Sequence, residues 1–270
     1  MRSGQSKLPY WAAAGGIVLL LLLLVAPRVL GYSPLPLTRQ WVLCATGLVV
    51  FLLACGHAVT GRLAGALIDE RKRMSVSRLQ TAVWTVIILP AFLVAALANL
   101  GTPLTALDIA IPEEVWGLLG ISVTSLVGSP LIKNKQRNEP LDGGAAQPER
   151  LARIAVANRV AFNSQEIQGT LVANKERKDA SGIDLIQGEA VGAQDMLDMG
   201  KIQMLFFTII VALAYAAALY EMFVQAQAGT GRVAAFPDVT PGMLALLGIS
   251  HAGYLGNKAA ASTPAAPPEG

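Results

Sequence analysis

Charged side chains are scarce in this sequence. Only 14% of the residues are Asp, Glu, Lys or Arg, whereas 53% are apolar, and soluble proteins carry about 25% charged residues. The scarcity excludes an ordinary soluble domain, because the apolar residues are gathered into long windows that hold no charge. The net charge of +3 is also too small to favour nucleic acid as the main partner.

Histidine, cysteine and catalytic motifs are few or absent. The only histidines are His57 and His251, which excludes a histidine-rich metal site. The only cysteines, Cys44 and Cys55, share one apolar window, and on a helix they would be about 16 Å apart, too far for a disulfide. The sequence holds no phosphate-binding loop, zinc-protease motif or nucleophile elbow. We therefore expect a protein without a cofactor or metal, and not an enzyme.

Six charge-free windows are long enough to cross the hydrocarbon core of a bilayer as helices, which takes about 20 residues. They are Leu8–Pro27, Gln40–Gly61, Leu79–Leu107, Val115–Ile132, Ile202–Tyr220 and Val239–Asn257. The third contains a span of ordinary length, Leu79–Leu100, with Pro90 inside it. The expected fold class is an all-α integral membrane protein with about six transmembrane helices.

The first and last windows each leave an alternative open. Arg2 and Lys7 precede the first window as in a signal peptide, but no convincing cleavage site follows it, so an uncleaved helix is favoured. The last window is short and carries Ser250, His251 and Tyr254. It is either a complete span or a short, re-entrant helix packed against protein.

Lysine and arginine residues indicate which side of the membrane is cytoplasmic. The connection between the second and third windows holds five of them: Arg62, Arg71, Lys72, Arg73 and Arg78. The segment after the fourth window opens with three more. Because basic residues concentrate in cytoplasmic loops, we expect both termini and that segment to face the cytoplasm.

The chain contains a diverged internal repeat of a helical hairpin. Leu118–Ser122 and Leu246–Ser250 have the identical sequence LLGIS, and a weaker similarity links the helix starts that hold Gln80 and Gln203. Both copies begin on the predicted cytoplasmic side, so the repeat is parallel rather than inverted.

Small residues recur at every fourth position in each copy. They are Gly120, Thr124 and Gly128 in the first copy and Gly248, Ala252 and Gly256 in the second. Such a stripe lets helix backbones approach closely in lipid. We therefore predict that helices 115–132 and 241–257 pack tightly, against each other around a pseudo-two-fold axis.

The predicted organisation has five parts. They are an N-terminal transmembrane hairpin (1–62), a first repeat hairpin with its basic loop (63–132), a cytoplasmic insert (133–201), a second repeat hairpin (202–258) and a disordered tail (259–270). The insert balances ten basic against ten acidic residues. It begins with a linker at Asn138–Pro148, continues with a helix from Glu149 to about Gln165, either on the membrane surface or packed, and contains a short strand near Gly169–Val172.

The C-terminal third carries two patterns that resemble a known group of proteins. Gly182–Gly192 reads GIDLIQGEAVG and is followed by Leu197–Gln203, and Leu246–Lys258 reads LLGISHAGYLGNK. Together they resemble uncharacterised bacterial multi-pass membrane proteins that end in this second pattern. The resemblance implies a bacterial inner (cytoplasmic) membrane and brings no activity.

His251 is the first candidate for a functional residue, because a polar side chain inside a span is costly and often functional. Val123 takes its place in the first copy. The histidine is a proton-sensitive gate, a hydrogen-bond partner of a neighbouring helix, or a neutral ring bonded to a backbone or serine group. Gln80 and Gln203 are expected to hydrogen-bond across the repeat. Ser250 and Tyr254 complete the polar candidates in the membrane.

Acidic residues near the end of the insert form a second candidate group: Asp184, Glu189, Asp195 and Asp198. They either bind a cation or a basic partner, or cap helices and form a solvated acidic face. Their spacing is looser than that of a cation loop, which favours the second interpretation.

Two functions are compatible with these features. The first is a non-enzymatic membrane scaffold or anchor that engages a cytoplasmic protein partner, favoured because no catalytic motif is present. The alternative is a small channel or transporter, as a homo-oligomer or alone, with its path between helices 115–132 and 241–257. A membrane-embedded enzyme ranks third, because no nucleophile–base pair supports it.

Overall fold

The computed structural model describes residues 35–100, 102, 105–138, 165–168, 171–190 and 196–260. Five α-helices lie in this part of the chain: α1 Leu37–Thr60, α2 Val76–Asn99, α3 Glu113–Asn138, α4 Met199–Ala228 and α5 Pro241–Ala260. Two short strands, β1 Gln165–Gln168 and β2 Leu171–Asn174, pair in antiparallel fashion. Short 3-10 helices cover Leu63–Leu67, Arg177–Asp179 and Gly182–Leu185.

Four of the five helices are long and apolar enough to cross a membrane: Leu37–Thr60, Val76–Asn99, Glu113–Lys135 and Met199–Ala228. They correspond to the second to fifth predicted spans and identify a membrane protein. The predicted first span, Leu8–Pro27, lies outside the described residues. The last predicted window forms α5, which is not among the four and extends to Ala260, two residues into the predicted tail.

Pro90 interrupts the hydrogen bonds of α2 without ending the helix. Proline lacks an N–H group and therefore frees the carbonyl four residues earlier, at Val86. The indole Nε1 of Trp41 in α1 donates to the carbonyl of the next residue, Ile87, at 3.2 Å. A neighbouring helix thus provides a donor beside the interruption, which lipid cannot do.

The described contacts divide the chain into two compact units. The first unit comprises Met1–Ala66, Thr81–Leu119 and Ile209–Leu244, and the second comprises Leu67–Gln80, Gly120–Thr208 and Ala245–Gly270.

Aromatic contacts hold the helices of the first unit together. The rings of Trp41 and Phe223 have centroids 6.0 Å apart, and those of Trp84 and Tyr215 are 6.2 Å apart in an edge-to-face arrangement. Such pairs add about 0.5–1.5 kcal/mol each to the effect of burial. They fix the packing of α1 and α2 against α4.

A buried asparagine closes the first unit at the end of α2. The Asn99 side chain donates to the carbonyl of Val233 at 2.8 Å and accepts from its N–H at 2.9 Å. Close by in the chain, Ala110 pairs with the segment at Ala235 through a bridge. The connection after α2 is therefore tied to the connection after α4.

The second unit is rich in buried polar groups. Its apolar cluster is small, built on Val76, Met204 and Tyr254. The predicted strand near Gly169–Val172 is present as β2, which begins at Leu171. The predicted helix was to end near Gln165, but Gln165 begins β1, and the rest of that helix lies outside the described residues.

The two copies of the LLGIS sequence present different faces to the protein. Leu118 is buried, whereas its counterpart Leu246 is 55% exposed. Ser125 is buried, whereas its counterpart Gly253 is exposed. The two copies therefore differ in part, although their serines, Ser122 and Ser250, are both buried, and the internal repeat stays a prediction.

Candidate functional site: a buried ion cluster and a polar lane

The connection between α1 and α2 ends in a tight loop, Leu67–Ser75, that one carboxylate organises. Asp69 Oδ1 accepts hydrogen bonds from the backbone N–H groups of Arg71, at 2.9 Å, and of Arg73, at 3.2 Å. Aspartate side chains commonly hold turns in this way. The shape of the loop and the placement of its two arginines therefore depend on Asp69.

Seven buried charged residues form an ion cluster around this loop: Asp69, Arg71, Arg73, Lys133, Asp184, Glu189 and Lys201. Asp69 Oδ2 lies 2.7 Å from Lys133 Nζ. Glu189 lies 3.0 Å from Arg71 Nη2 and 2.9 Å from Lys201 Nζ. All seven side chains are 10% exposed or less, so water screens their interactions weakly.

The pair of Arg73 and Asp184 extends the ion cluster towards the 3-10 helix at Gly182–Leu185. Arg73 Nε donates to Asp184 Oδ1 at 3.1 Å, and its two other nitrogens donate to the Gly188 carbonyl and to Gln187 Oε1, each at 3.2 Å. Asp184 Oδ2 also accepts from the N–H of Ser181 at 2.9 Å. One arginine thus fixes the whole segment that contains these residues.

Backbone hydrogen bonds join the ion cluster to the β-hairpin. The N–H of Asn174 donates to the Arg71 carbonyl at 3.0 Å, and its Nδ2 donates to the Lys72 carbonyl at 2.9 Å. The N–H of Val172 donates to the Glu189 carbonyl at 3.0 Å. Strand β2 is therefore held between the loop and the segment at Glu189.

Among the described residues, the ion cluster contains four cations and three anions. Burial alone would raise the pKa of the Asp69 carboxyl, but the Lys133 ammonium and the Arg71 guanidinium outweigh it and lower the pKa to about 2. Burial alone would lower the pKa of Arg71, but Glu189 and Asp69 outweigh it and raise the pKa. Both Asp69 and Arg71 are fully charged at neutral pH.

Buried polar side chains of α2, α3 and α5 form a polar lane in the same unit: Ser77, Gln80, Ser125, Ser129, His251 and Tyr254. The hydroxyls of Ser77 and Ser125 are 3.0 Å apart. Tyr254 hydrogen-bonds to Ser129 and lies within electrostatic reach of Glu189. The polar lane therefore continues to the ion cluster.

Both ring nitrogens of His251 are hydrogen-bonded. Nδ1 lies 2.7 Å from the Leu247 carbonyl, and Nε2 lies 2.7 Å from Gln80 Oε1. A protonated ring donates to both oxygens. A neutral ring donates from Nδ1 and accepts at Nε2. In that case the Gln80 amide is rotated so that its NH₂ group, rather than its oxygen, faces Nε2. Two of the roles predicted for His251 are therefore present: a hydrogen bond to a neighbouring helix, at Gln80, and a hydrogen bond to a backbone group, the Leu247 carbonyl.

The predicted pairing of Gln80 with Gln203 is not formed. Gln203 is exposed, and the Gln80 oxygen lies against His251 instead. The physical reason is that α4 turns a different residue inward at this level, the buried Met204. Ser250 is buried, and its hydroxyl has no hydrogen-bond partner among the described residues.

The predicted acidic group is divided between two environments. Asp184 and Glu189 are buried in ion pairs, so they do not form a solvated face. Asp198 Oδ1 accepts from the N–H of Lys201 at 3.1 Å, which is a capping bond in the first turn of α4. Asp195 lies outside the described residues.

The predicted stripes of small residues lie only in part where α3 and α5 meet in the described structure. Gly120, Thr124, Ala252 and Gly256 are exposed, whereas a Cβ atom added at Gly128 or Gly248 would lie in ordinary contact with Leu255 of α5 or Ile121 of α3. The inward face of α3 carries serines instead, Ser122, Ser125 and Ser129. Serines are also small, and they can hydrogen-bond across helices, which favours the serine face for packing.

Five members of the ion cluster were not among the predicted site residues: Asp69, Arg71, Arg73, Lys133 and Lys201. Asp69 could have been identified from the sequence, because it is the one aspartate in a loop rich in arginine. Lys133 and Lys201 each border a charge-free window. A basic residue in such a position indicates which side of the membrane is cytoplasmic, and it does not reveal an ion pair.

The described part of the chain contains no group of three or more His, Cys, Asp or Glu side chains placed to hold a metal ion. No family model, curated protein or solved structure matches the chain.

Proposed function

We propose that the protein is a non-enzymatic multi-pass scaffold of a bacterial inner membrane that presents a cytoplasmic module to a protein partner. The cytoplasmic module consists of the loop Leu67–Ser75 and the described residues 165–198. The proposal includes two further spans, the predicted Leu8–Pro27 and α5, which leave both termini in the cytoplasm. The basic residues that flank the module support this orientation.

The ion cluster is the observation that carries the proposal. Buried ion pairs contribute little net stability, but breaking one leaves an uncompensated charge that costs about 3–5 kcal/mol. A displaced module would break two pairs at once, because Lys133 and Lys201 belong to helices while their partners Asp69 and Glu189 belong to the module. The module is thus held in one orientation, as a scaffold requires.

Four exposed apolar side chains form the proposed partner surface, here called the apolar patch: Ile183, Met196, Leu197 and Met199, which are 58–68% exposed. They lie on segments that pair with each other, since the Gly188 N–H donates to the Met196 carbonyl. Methionine side chains adapt to irregular partner surfaces, and exposed apolar groups outside the spans commonly mark interaction sites.

Crosslinking in cells with the full chain tests the proposal. The wild-type protein should capture one protein in stoichiometric amount, and the Ile183→Glu, Leu197→Glu double variant should lose it. Lys178→Ala is the control, because it alters an exposed charge of the same module outside the apolar patch. Capture of the same proteins by all three chains would contradict the proposal.

The polar lane favours a second candidate, a channel or transporter with its path along helices 115–132 and 241–257. Its support is three hydrogen-bonded pairs of buried polar groups in the membrane helices: His251 with Gln80, Ser77 with Ser125, and Tyr254 with Ser129. Polar groups at this depth are costly in lipid and often functional. Proton flux into liposomes should fall strongly in His251→Leu. An absence of flux from the wild-type protein would remove this candidate.

A further inference from the structure

Of the five described helices, only α5 is not among the four that are long and apolar enough to cross a membrane. It has 20 residues, and its second half carries Ser250, His251 and Tyr254. A polar side chain without a partner raises the free energy of a helix in lipid. The sequence of α5 alone therefore does not favour insertion into a membrane.

Contacts within the second unit nevertheless place α5 along α3, which is one of the four candidate spans. A Cβ atom added at Gly248 of α5 would lie 4.0 Å from Ile121 of α3, and one added at Gly128 of α3 would lie 3.8 Å from Leu255 of α5. The same number of positions separates the two residues in both pairs. The two helices therefore run in parallel over this stretch.

Both ends of α5 lie level with the beginning of a span. Near its first residues, a Cβ atom added at Gly117, close to the start of α3, would lie 3.0 Å from Leu244. Towards its other end, Tyr254 lies beside Gly200 in the first turn of α4. Because consecutive spans such as α3 and α4 start from opposite sides of a membrane, α5 reaches from one side to the other.

Three hydrogen bonds join all three pairs of the helices α2, α3 and α5. Each helix contributes two polar side chains about one turn apart. The bonded pairs are His251 with Gln80, Ser77 with Ser125, and Ser129 with Tyr254. Two of these bonds end on α5, so α2 and α3 satisfy its histidine and its tyrosine. Hydrogen bonds of this kind hold helices together in lipid.

We infer that α5 is a conditional transmembrane helix, which stays in the membrane only while α2 and α3 hydrogen-bond to its polar side chains. Insertion of α5 brings Tyr254 close to Glu189 of the ion cluster and sets the side on which the C-terminal tail lies. The inference rests on the topology in the proposed function, in which α4 ends outside and the C-terminus is cytoplasmic. A chain whose α5 is not inserted would keep its C-terminus outside.

Leucine variants at the contact between His251 and Gln80 test the inference. Gln80→Leu leaves Nε2 of His251 without its partner in lipid, so α5 should leave the membrane more often. The loss of one buried partner changes an equilibrium by about fivefold or more, and the fraction of chains with an external C-terminus should rise by that factor. The Gln80→Leu, His251→Leu double variant leaves no polar group to satisfy at this contact, so α5 should stay inserted.

Thr85→Leu is the matched control, because it also replaces a polar residue of α2 with leucine. The Thr85 hydroxyl donates to the Thr81 carbonyl of its own helix and does not support α5. Each full-length chain carries at its C-terminus either an alkaline phosphatase, which is active only outside the cytoplasm, or a fluorescent protein that folds only inside it. The ratio of the two signals is measured in bacterial cells.

A C-terminus that is cytoplasmic in the wild type, the control and the double variant, and is shifted outwards in Gln80→Leu alone, supports the inference. A C-terminus that stays cytoplasmic in Gln80→Leu overturns it, and so does an outward shift that the control or the double variant shares. An external C-terminus in the wild type would contradict the proposed topology and the inference with it. The capture of a protein partner by the apolar patch is a separate result that none of these outcomes changes.

Discussion

Asp69 and Lys133 are 64 positions apart in the sequence, but their side chains meet at 2.7 Å and both are buried. The pair joins the loop before α2 to the end of α3. Around it, the described residues of the ion cluster hold four cations and three anions. We therefore expect the anions and the cations of the ion cluster to respond differently to removal.

Asp69→Asn should destabilise the protein more than Lys133→Met does. The first change leaves four cations against two anions, whereas the second leaves three of each. We expect the free energy of unfolding to fall by about 3–5 kcal/mol in Asp69→Asn and by about 1–3 kcal/mol in Lys133→Met. Denaturant unfolding in detergent measures both. Equal losses, or a larger loss for the lysine variant, would refute the charge imbalance.

Acid should destabilise the wild-type protein through Asp69. Its pKa is lowered from 3.8 to about 2 in the folded state. Ionised Asp69 therefore stabilises the fold fully above pH 3.8, and this stabilisation is lost as the pH falls from 3.8 through 2. The shift corresponds to about 2 kcal/mol. The melting temperature should therefore fall more steeply below pH 4 in the wild type than in Asp69→Asn, which cannot titrate. Parallel curves would show that Asp69 titrates normally.

Gly65→Ala should destabilise the first unit. A Cβ atom at Gly65 would collide with the Thr60 side chain and with the backbone of Gly56, so the loss should be about 2–4 kcal/mol, as for other overpacked sites. Gly120→Ala is the matched control, since a Cβ there meets nothing within 4 Å, and alanine favours a helix over glycine by about 1 kcal/mol. Similar losses at both glycines would contradict the close approach at Gly65.

His251 and Gln80 should be energetically coupled. Changing either one to leucine leaves the other buried without its partner, whereas the double leucine variant removes both polar groups. The coupling energy in a double-mutant cycle should be about 0.5–1.5 kcal/mol, the range found for hydrogen bonds between membrane helices. Additive losses would mean that the contact contributes nothing.

The sequence predicted the described helices well, because lipid requires long uncharged stretches. It placed helix ends less well. The predicted span Ile202–Tyr220 stops before Glu221, but α4 continues to Ala228 and buries Phe223 on the way. A single charge ends an uncharged window without ending a helix, whose hydrogen bonds continue until the turn at Gly229.

The inward face of a helix was harder to predict than its existence. Both Gly120 and Ser125 are small, and their stripes lie on different sides of α3. The serine side faces inward because Ser77 and Tyr254 offer hydrogen bonds to it. That choice depends on partners more than forty positions away in the sequence, which the periodicity of one helix cannot reveal.

The ion cluster was missed for a related reason. Arg71 and Arg73 were interpreted only as indicators of the cytoplasmic side of the membrane, but they are buried in ion pairs. A sequence shows which residues can be charged, whereas only the fold shows which charges meet. Arg73 and Asp184, separated by 111 positions, illustrate this limit.

The double-mutant cycle of Asp69→Asn and Lys133→Met tests the central claim most directly, namely that a cation-rich ion cluster locks the cytoplasmic module to the helices. The double variant restores an excess of one cation. We predict that its free energy of unfolding exceeds that of Asp69→Asn alone. A double variant whose loss equals the sum of the two single losses would contradict the claim.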